Sequence, residues 1–411
     1  MGRLAGAGFP DPPTLRAVLE SATRAPSVHN SQPWRWLVGP DSLYLLADPS
    51  RHLPHTDPDR RNLMLSCGAA LHHCTVALAA AGWHAKVQRL PDPRSPEHLA
   101  TIEVTPKPAD ELDIVLCLAI GRRRTDRRSY RSWPVPWGDI ALMGARAARA
   151  GVMLRQVDEI PRLHDIVLDS VARHASDADY LAELSAWSGR YGSVAGVPAR
   201  NTPAPNSSAP IPPRAFAGPA METGTRDDVE SEGSVVVALG TENDDDLARL
   251  RAGEATSLVL LSATAMGLAS CPVTEPLEIP ETRQAVRADV FGDSGHPQMM
   301  VRVGWPPAGA DPLPPTPRRP LLDVAVWRLA GASAVWLLVP GRLGGGGCRG
   351  RGEWAMLAAC HNFGKLHGHI GMTGLAALPA GWIPAQPHYC RQPVQHPLTR
   401  AESAPRSSQP P

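Results

Sequence analysis

Residues 24–36, RAPSVHNSQPWRW, place short hydroxyl and amide side chains directly before a tryptophan-rich segment. Ser27, Asn30 and Gln32 supply donors and acceptors suited to a polyhydroxy chain and the edge of a heterocycle. Taken alone, the stretch favours a turn whose side chains cap their own backbone, as Asn and Ser commonly do. It therefore predicts either a ligand-binding loop or a self-capped turn before a buried strand.

The bulk composition is typical of a folded globular protein. The 411 residues are 43% hydrophobic and 20% charged, with a formal net charge of +1, so neither nucleic acid nor an acidic membrane is expected as a partner. No signal peptide is predicted, and the longest apolar candidate, residues 329–340, is too short to span a membrane. Seven irregularly spaced cysteines do not form a disulfide framework. We therefore expect a cytoplasmic protein with reduced thiols.

The hydrophobic periodicity divides the chain into two units. In the first, residues 1–112, it predicts a helix over 13–24, strands at WRWLVG and SLYLLA, an apolar helix over 60–81 ended by Gly82, and strands at AKVQRL and ATIEVTP.

The second unit, residues 113–328, has helices predicted over 137–150, 159–174 and 178–188. A buried strand at GSVVVALG, a long helix from DLARLRAG onward and a strand at PQMMVRVGW follow, and LPPTPRRPLLDV closes the unit. The similar order of elements in the two units suggests an internal duplication.

Two segments do not fit this regular pattern. Residues 198–219 contain seven prolines, and a long segment of that kind inside a compact domain is a functional lid or is disordered. We assign a lid to about 196–230. Residues 329–411 contain only Glu353 and Glu402 as acids and no sustained periodicity, which predicts a disordered tail outside the core.

Arginine clusters suggest a small anionic ligand. The first comprises Arg122, Arg123, Arg124, Thr125, Arg127 and Arg128, and the second comprises Thr316, Arg318 and Arg319. Arginine binds phosphate through two parallel charge-assisted hydrogen bonds. The alternative is solvated surface arginine.

A metal site and a separate nicotinamide domain are not predicted. Cys67 and Cys74 share a helix face near His72 and His73, which would permit metal ligation, but small buried cysteines are the favoured interpretation. No Gly-x-Gly-x-x-Gly motif follows a strand.

Together these stretches resemble the nitroreductase family of flavin enzymes. PSVHNSQPW is similar to the family's Pro-Ser-x-x-Asn-x-Gln-Pro-Trp segment, and RRTDR to its phosphate motif. MGLASCPV resembles the family's stretch beside the flavin ring. RVGWPP followed by TPRRPL resembles its closing strand and its phosphate-binding arginine. RRNLMLSCGAAL, AELSAWSGR with GVPARNTP, and HPQMMVRVGWPP together resemble the Acg subgroup. The resemblance covers about residues 13–328.

The resemblance implies an α+β, nitroreductase-like fold, duplicated within one chain as a pseudo-dimer with one FMN site and hence monomeric. Ser27, Asn30 and Gln32 would face the flavin from the first half. Arg123, Thr125 and Arg127 would hold its phosphate and ribityl chain, and Arg124 could replace either arginine. Arg318 or Arg319 would close the phosphate site. Backbone N–H groups near Thr274 and Glu275 would lie by the flavin N5 and O4 edge, unless 271–276 is a plain loop.

The implied activity is a two-electron reduction of an unidentified small molecule, with NAD(P)H as the electron donor. No side chain is singled out as a catalytic acid. The alternative is a protein that stores or sequesters FMN beneath the proline-rich lid and has no reductase activity.

Overall fold

The computed structural model describes residues 8–207, 209–221, 232–292, 294–309 and 311–327. The predicted tail, 329–411, and residues 222–230 of the predicted lid lie outside these ranges. Within them the fold is α+β, with two sheets and a pair of long helices that pack against each other.

The first sheet is formed mainly by the N-terminal part of the chain. Its elements are α1 (Pro12–Ala22), β1 (Trp34–Val38), β2 (Ser42–Ala47), α2 (Arg61–Ala80), β3 (Trp83–Arg89) and β4 (His98–Pro106). Helix α1 begins where the Asp11 carboxylate accepts a 2.8 Å hydrogen bond from the Thr14 amide, which satisfies one of the free N–H groups of the first turn. Trp34 and Trp36 on β1 are almost fully buried, so the tryptophan-rich segment forms part of the core.

The second sheet follows after a run of helices. The elements are α3 (Glu111–Arg122), α4 (Trp137–Arg149), β5 (Met153–Gln156), α5 (Ile160–Ala175), α6 (Ala178–Trp187), β6 (Val235–Thr241), α7 (Asp246–Ala265), β7 (Ala269–Val273), α8 (Pro280–Val286) and β8 (His296–Gly304). Its strands pair in the order β5-β6-β8-β7, all antiparallel. The helices and strands predicted from periodicity in both units are thus confirmed within one or two residues at most ends.

Helices α2 and α7 meet through a pair of glycines. A Cβ added at Gly68 would lie 2.1 Å from the Leu250 carbonyl oxygen, and one added at Gly253 would lie 2.1 Å from that of Leu65. Each glycine is therefore required for the close approach of the helices. Each is also the eighth residue of a 20-residue helix, so the contact is symmetric in sequence position.

Helix α2 corrects one sequence-based expectation. It is long and apolar enough to cross a membrane by length and composition, and most of it is buried inside the protein. The expectation that residues 329–340 are the longest apolar stretch is therefore wrong. Composition alone could not distinguish a core helix buried on several faces from a membrane span.

The C-terminal described segment joins the first sheet. After α9 (Leu321–Val324), strand β9 (Ala325–Trp327) pairs in parallel with β1, with Trp36 opposite Ala325, and the sheet order is β3-β4-β2-β1-β9. LPPTPRRPLLDV was expected to close the second unit, and the strand that directly follows it pairs with the first sheet, which the sequence did not indicate because a parallel partner distant in sequence leaves no local pattern.

Candidate functional site

A cavity of about 1700 Å³ is lined by segments from the first 70 residues and by segments between residues 125 and 314. Its wall includes residues 26–29 after α1, one side of α2, residues 127–133 after α3, most of the proline-rich segment 203–214, and residues 271–275 at the end of β7. The predicted lid therefore forms one wall of the cavity. Because these segments are distant in sequence, no single motif describes the site.

The first loop holds other segments in place more than it lines the cavity. Ser27 lines the wall, and its Oγ accepts a 3.0 Å hydrogen bond from the Gln32 amide. Asn30 and Gln32 are buried and are not among the lining residues. Asn30 Nδ2 donates to the Gly196 carbonyl (3.1 Å), and Gln32 Nε2 donates to that of Val194 (2.9 Å).

This loop is also strained. His29, Asn30 and Gln32 have φ values of 46°, 53° and 54°, a region that costs non-glycine residues of order 1 kcal/mol or more. The hydrogen bonds of both amides to the edge of the lid compensate for that cost. Ser27 accepts a hydrogen bond from its own loop and also faces the cavity, so the self-capped turn is confirmed and ligand binding by the loop stays a prediction.

The arginines of the predicted phosphate site include a guanidinium that lacks hydrogen bonds. Arg123 is buried, and its Nε and Nη1 have no hydrogen-bond partner. Burial, together with the nearby charges of Arg124 and Arg24, lowers the pKa of Arg123 to about 10. Arg318 donates to the Thr23, Arg24 and Ala25 carbonyls; burial and the charge of Arg123 lower its pKa to about 9.

Within the described ranges none of Arg24, Arg123, Arg124 and Arg318 has a carboxylate partner; we call these four the inner arginine cluster. Arg124 donates to the carbonyls of Gly121 and Leu313. Arg319 differs, because its Nη1 lies 3.4 Å from Asp48 Oδ2 and its amide donates to Gln32 Oε1 at 2.9 Å. None of Arg123, Arg124, Arg318 and Arg319 is among the residues lining the cavity.

Thr125 and Arg127 lie on the cavity wall itself. Thr125 forms an isolated parallel bridge with Ser270 beside β7. The guanidinium of Arg127 lies 4.8 Å from the centre of the Phe216 ring and donates to the Asn201 carbonyl at 3.1 Å. Burial lowers the pKa of Arg127, and no carboxylate pairs with it in the described chain.

Thr274 and Glu275 join a network that the sequence did not reveal. Arg214, from the proline-rich segment, donates to Glu278 Oε1 at 2.6 Å and to Thr274 Oγ1 at 3.0 Å. Glu275 Oε1 lies 3.1 Å from His174 Nδ1. Burial opposes ionisation of Glu275, but the charge of Arg214 and the hydrogen bond of His174 outweigh it and lower the pKa. This network anchors the lid beside the end of β7.

Further wall residues were also missed. Arg302 pairs with Glu232 at 2.9 Å, and His29 lines the wall with its ring edge-to-face to Phe216. Burial, and then the charge of Arg214, lower the pKa of His29 to about 3, so this ring is neutral at ordinary pH. The only sequence signal for His29 was its place in the opening stretch.

The cysteine and histidine group on α2 forms hydrogen bonds inside the core. His72 Nδ1 and His73 Nδ1 lie 2.7 Å and 2.8 Å from the same Ser257 hydroxyl of α7. Cys67 and Cys74 are buried and free, and burial raises the pKa of both thiols. No group of three or more metal-ligating side chains occurs among the residues that the structure describes.

Comparison with known proteins identifies the family. Residues 120–305 match the model described as the nitroreductase family. A Mycobacterium tuberculosis protein named "Putative NAD(P)H nitroreductase Rv3131" is 62% identical over 319 residues, which cover 78% of this chain and 93% of that protein. The chain belongs to the nitroreductase family. The chain is also 35% identical to M. tuberculosis "Putative NAD(P)H nitroreductase acg", over 75% of this chain and 94% of that one.

The resemblance to the nitroreductase family and its Acg subgroup is therefore confirmed, and so is the nitroreductase-like α+β fold. Among solved structures, the FMN-dependent nitroreductase NfnB of Mycobacterium smegmatis in complex with NADPH matches 52% of this nitroreductase and 97% of its own chain. The sequence identity is 17% and the TM-score is 0.32.

Proposed function

We propose that this nitroreductase is an FMN-binding oxidoreductase that reduces a small molecule in a two-electron reaction with NAD(P)H, through one FMN per chain. The observation that carries the proposal is the buried Arg123, which lies behind the cavity wall, two residues before the lining Thr125, and whose guanidinium lacks hydrogen-bond partners within a cluster free of carboxylates. The names of the relatives, which refer to NAD(P)H, and the FMN and NADPH named for M. smegmatis NfnB are consistent with it.

The inner arginine cluster fits a phosphate dianion. A buried guanidinium without an anion is costly, and each charge-assisted hydrogen bond to phosphate contributes roughly 1.5–3 kcal/mol. Arg123 would hold the phosphate, with Arg318 and Arg124 adding positive charge. The hydroxyls of Ser27 and Thr125 on the cavity wall suit a ribityl chain, and backbone N–H groups near Thr274 suit the edge of the flavin ring.

FMN, when bound, supplies the hydride chemistry, and the protein supplies binding, orientation and electrostatics. Arg127 places a fixed positive charge on the cavity wall, where it would favour an anionic ring. His29 cannot deliver a proton at neutral pH, because it is already deprotonated. No described side chain is therefore assigned as a general acid.

FMN sequestration is the second candidate, and one observation favours it. The proline-rich segment forms a wall of the cavity and is anchored there by Arg214, while Asn30 and Gln32 hold Gly196 and Val194 just before it. A segment anchored in this way would retain the flavin and restrict access of a substrate. NAD(P)H would then fail to reduce the bound flavin.

We also infer that the chain is an internally duplicated pseudo-dimer and a monomer in the cytoplasm. The matched positions of Gly68 and Gly253 support the duplication, since each helix presents its eighth residue to the other. The cavity of about 1700 Å³, lined by residues from both proposed halves, agrees with one FMN per chain.

The test uses the purified full chain loaded with FMN. Flavin released by denaturation should approach one mole per mole of chain, and anaerobic addition of NADPH or NADH should bleach the flavin absorbance. Stoichiometric flavin that is not bleached by either donor would favour sequestration. Absence of FMN binding would reject both candidates.

A further inference from the structure

The rim of the cavity carries an exposed aromatic–cation pair that the proposed flavin site does not use. Trp133 lines the cavity and is 58% exposed. The guanidinium carbon of Arg131 lies 4.8 Å from the centre of its indole ring. A tryptophan so exposed at a cavity mouth is a stacking surface for a flat ligand.

The backbone holds this pair rigidly from both sides. The Arg131 amide donates to the Trp305 carbonyl at 3.0 Å, and the Arg131 carbonyl accepts from the Gly233 amide at 3.0 Å. The Gly233 backbone packs so closely that an added Cβ would lie 2.4 Å from the Ser132 carbonyl oxygen. The Trp305 ring also contacts Trp133 edge-to-face at 6.4 Å. A surface ordered before binding loses less conformational entropy when a ligand arrives.

The positive charge at the rim is available for an anion. Arg131 has no carboxylate partner in the described ranges, and its Nε is buried without a hydrogen-bond partner. Two neighbouring arginines on the wall are already paired: Arg128 with Asp126 at 2.7 Å and Arg302 with Glu232 at 2.9 Å. Unlike these two arginines, Arg131 has a positive charge that can pair with a phosphate.

The cavity has room for a second ligand beside FMN. Its volume of about 1700 Å³ exceeds the roughly 300–1,000 Å³ of pockets that enclose one drug-sized ligand. FMN carries one phosphate, which the proposed function assigns to the inner arginine cluster. Arg131 contacts Trp133 and Trp305 instead, so its charge calls for another anionic group.

We infer that Trp133 and Arg131 bind the adenine-nucleotide half of the electron donor, with the adenine stacked on the indole and a phosphate hydrogen-bonded to the guanidinium. A purine ring stacks face to face on a tryptophan side chain, and a guanidinium pairs with phosphate in a bidentate geometry. The inference rests on the proposed function, because it concerns the donor of the same site.

The experiment measures binding of donor fragments to the FMN-loaded full chain by isothermal titration calorimetry, so that no flavin reduction is needed. The probes are ADP, 2′,5′-ADP, 5′-AMP and inorganic phosphate. We expect saturable one-to-one binding of ADP or 2′,5′-ADP and far weaker binding of inorganic phosphate. If ADP has the higher affinity, the pyrophosphate contacts Arg131. If 2′,5′-ADP has the higher affinity, the 2′-phosphate does.

Matched variants separate stacking, charge and general surface effects. Trp133→Ala and Arg131→Gln should each weaken the fragment about tenfold, whereas Trp133→Phe should retain most of the affinity. Trp137→Ala is the control, because Trp137 is 79% exposed and is not among the lining residues. It should bind the fragment as the parent chain does.

Three results would overturn the inference: no saturable binding of any adenine nucleotide, Trp133→Ala binding as tightly as the parent, or inorganic phosphate binding as tightly as ADP. Flavin content is measured on the same samples. A chain that retains FMN but binds no nucleotide rejects only this inference, whereas a chain that binds no FMN rejects the proposed function.

Discussion

Two buried arginines of this protein, Arg214 and Arg123, differ in whether an acidic side chain pairs with them. Arg214 lies 2.6 Å from Glu278 and 3.9 Å from Glu275, whereas Arg123 has no acidic partner among the described residues and two nitrogen atoms without hydrogen bonds. Burying a charge costs several kcal/mol unless it is paired. A paired arginine therefore indicates a structural contact, and an unpaired one indicates where a ligand's charge is expected.

The strongest test of this contrast removes the paired arginine. Arg214→Met leaves Glu278 and Glu275 buried without their cation, and we expect the free energy of unfolding to fall by about 3–5 kcal/mol. Urea denaturation of the full chain measures it. The control is Arg162→Met, which breaks the 2.6 Å pair with Asp289 at a site where Arg162 is 67% exposed. That loss should be about 1 kcal/mol or less, and equal losses in the two variants would contradict the contrast.

Removing the unpaired arginine should have the opposite sign for stability. Arg123→Met eliminates a buried charge that lacks a partner, so the FMN-free protein should be as stable as the parent or more so. FMN affinity should fall about 10- to 100-fold, while riboflavin, which lacks the phosphate, should bind as before. Fluorescence titration with both flavins measures this.

Arg16→Met, on the exposed face of α1, serves as the control for that variant and should leave both flavin affinities unchanged. Equal losses of FMN and riboflavin in Arg123→Met would show that Arg123 acts on something other than the phosphate.

Histidines extend the comparison, because they can avoid a buried charge by losing a proton. Burial lowers the pKa of His73 well below its ordinary 6.5, and nearby Arg123 adds to the effect. The unfolded chain therefore binds more protons than the folded chain below pH 6.5, and stability should fall as the pH falls through that range. His73→Asn should reduce this slope by about 1.4 kcal/mol per pH unit near pH 5.

Urea denaturation at several pH values measures how the free energy of unfolding changes with pH. This slope is independent of any pH-independent loss of stability that the substitution causes. An unchanged slope in His73→Asn would mean that His73 is protonated in the folded chain.

The smallest expected effect concerns a neutral wall residue. Ser27→Ala removes the acceptor for the Gln32 amide, so stability should fall by about 1 kcal/mol. FMN affinity should fall less than in Arg123→Met, since a hydroxyl contributes less than a charged group. Ser176→Ala, on an exposed helix end, is the control for stability. A loss of FMN affinity matching that of Arg123→Met would mean that charge does not dominate binding.

The elements and the site differ in how well the sequence anticipated them. Helices α2 and α7 and most strands follow from hydrophobic periodicity, because burial of one face repeats along the chain. The opening stretch was correctly expected before a buried strand. Asn30 and Gln32 illustrate what periodicity cannot give: their side chains bind carbonyls of the segment near residue 195, and only the folded chain brings those partners together.

The same reason explains why Arg214 was missed. Its partners come from α6, the end of β7 and the 3₁₀ turn that follows it, and no fixed spacing relates them. By contrast, RRTDR was noticed because its arginines lie close together in sequence. Whether Arg318 or Arg319 serves the phosphate could not be decided from TPRRPL. The pairing of Arg319 with Asp48 distinguishes the two neighbours.

The parallel pairing of β9 with β1 has a consequence for biosynthesis. Strand β1 leaves the ribosome long before residues 325–327 exist, so one edge of the first sheet has no partner during most of translation. An uncovered strand edge is a template for association with other chains, and pairings between segments distant in sequence form slowly. A nascent chain of this protein is therefore most exposed to aggregation just before β9 is made, and residues 1–112 expressed alone would retain that open edge permanently.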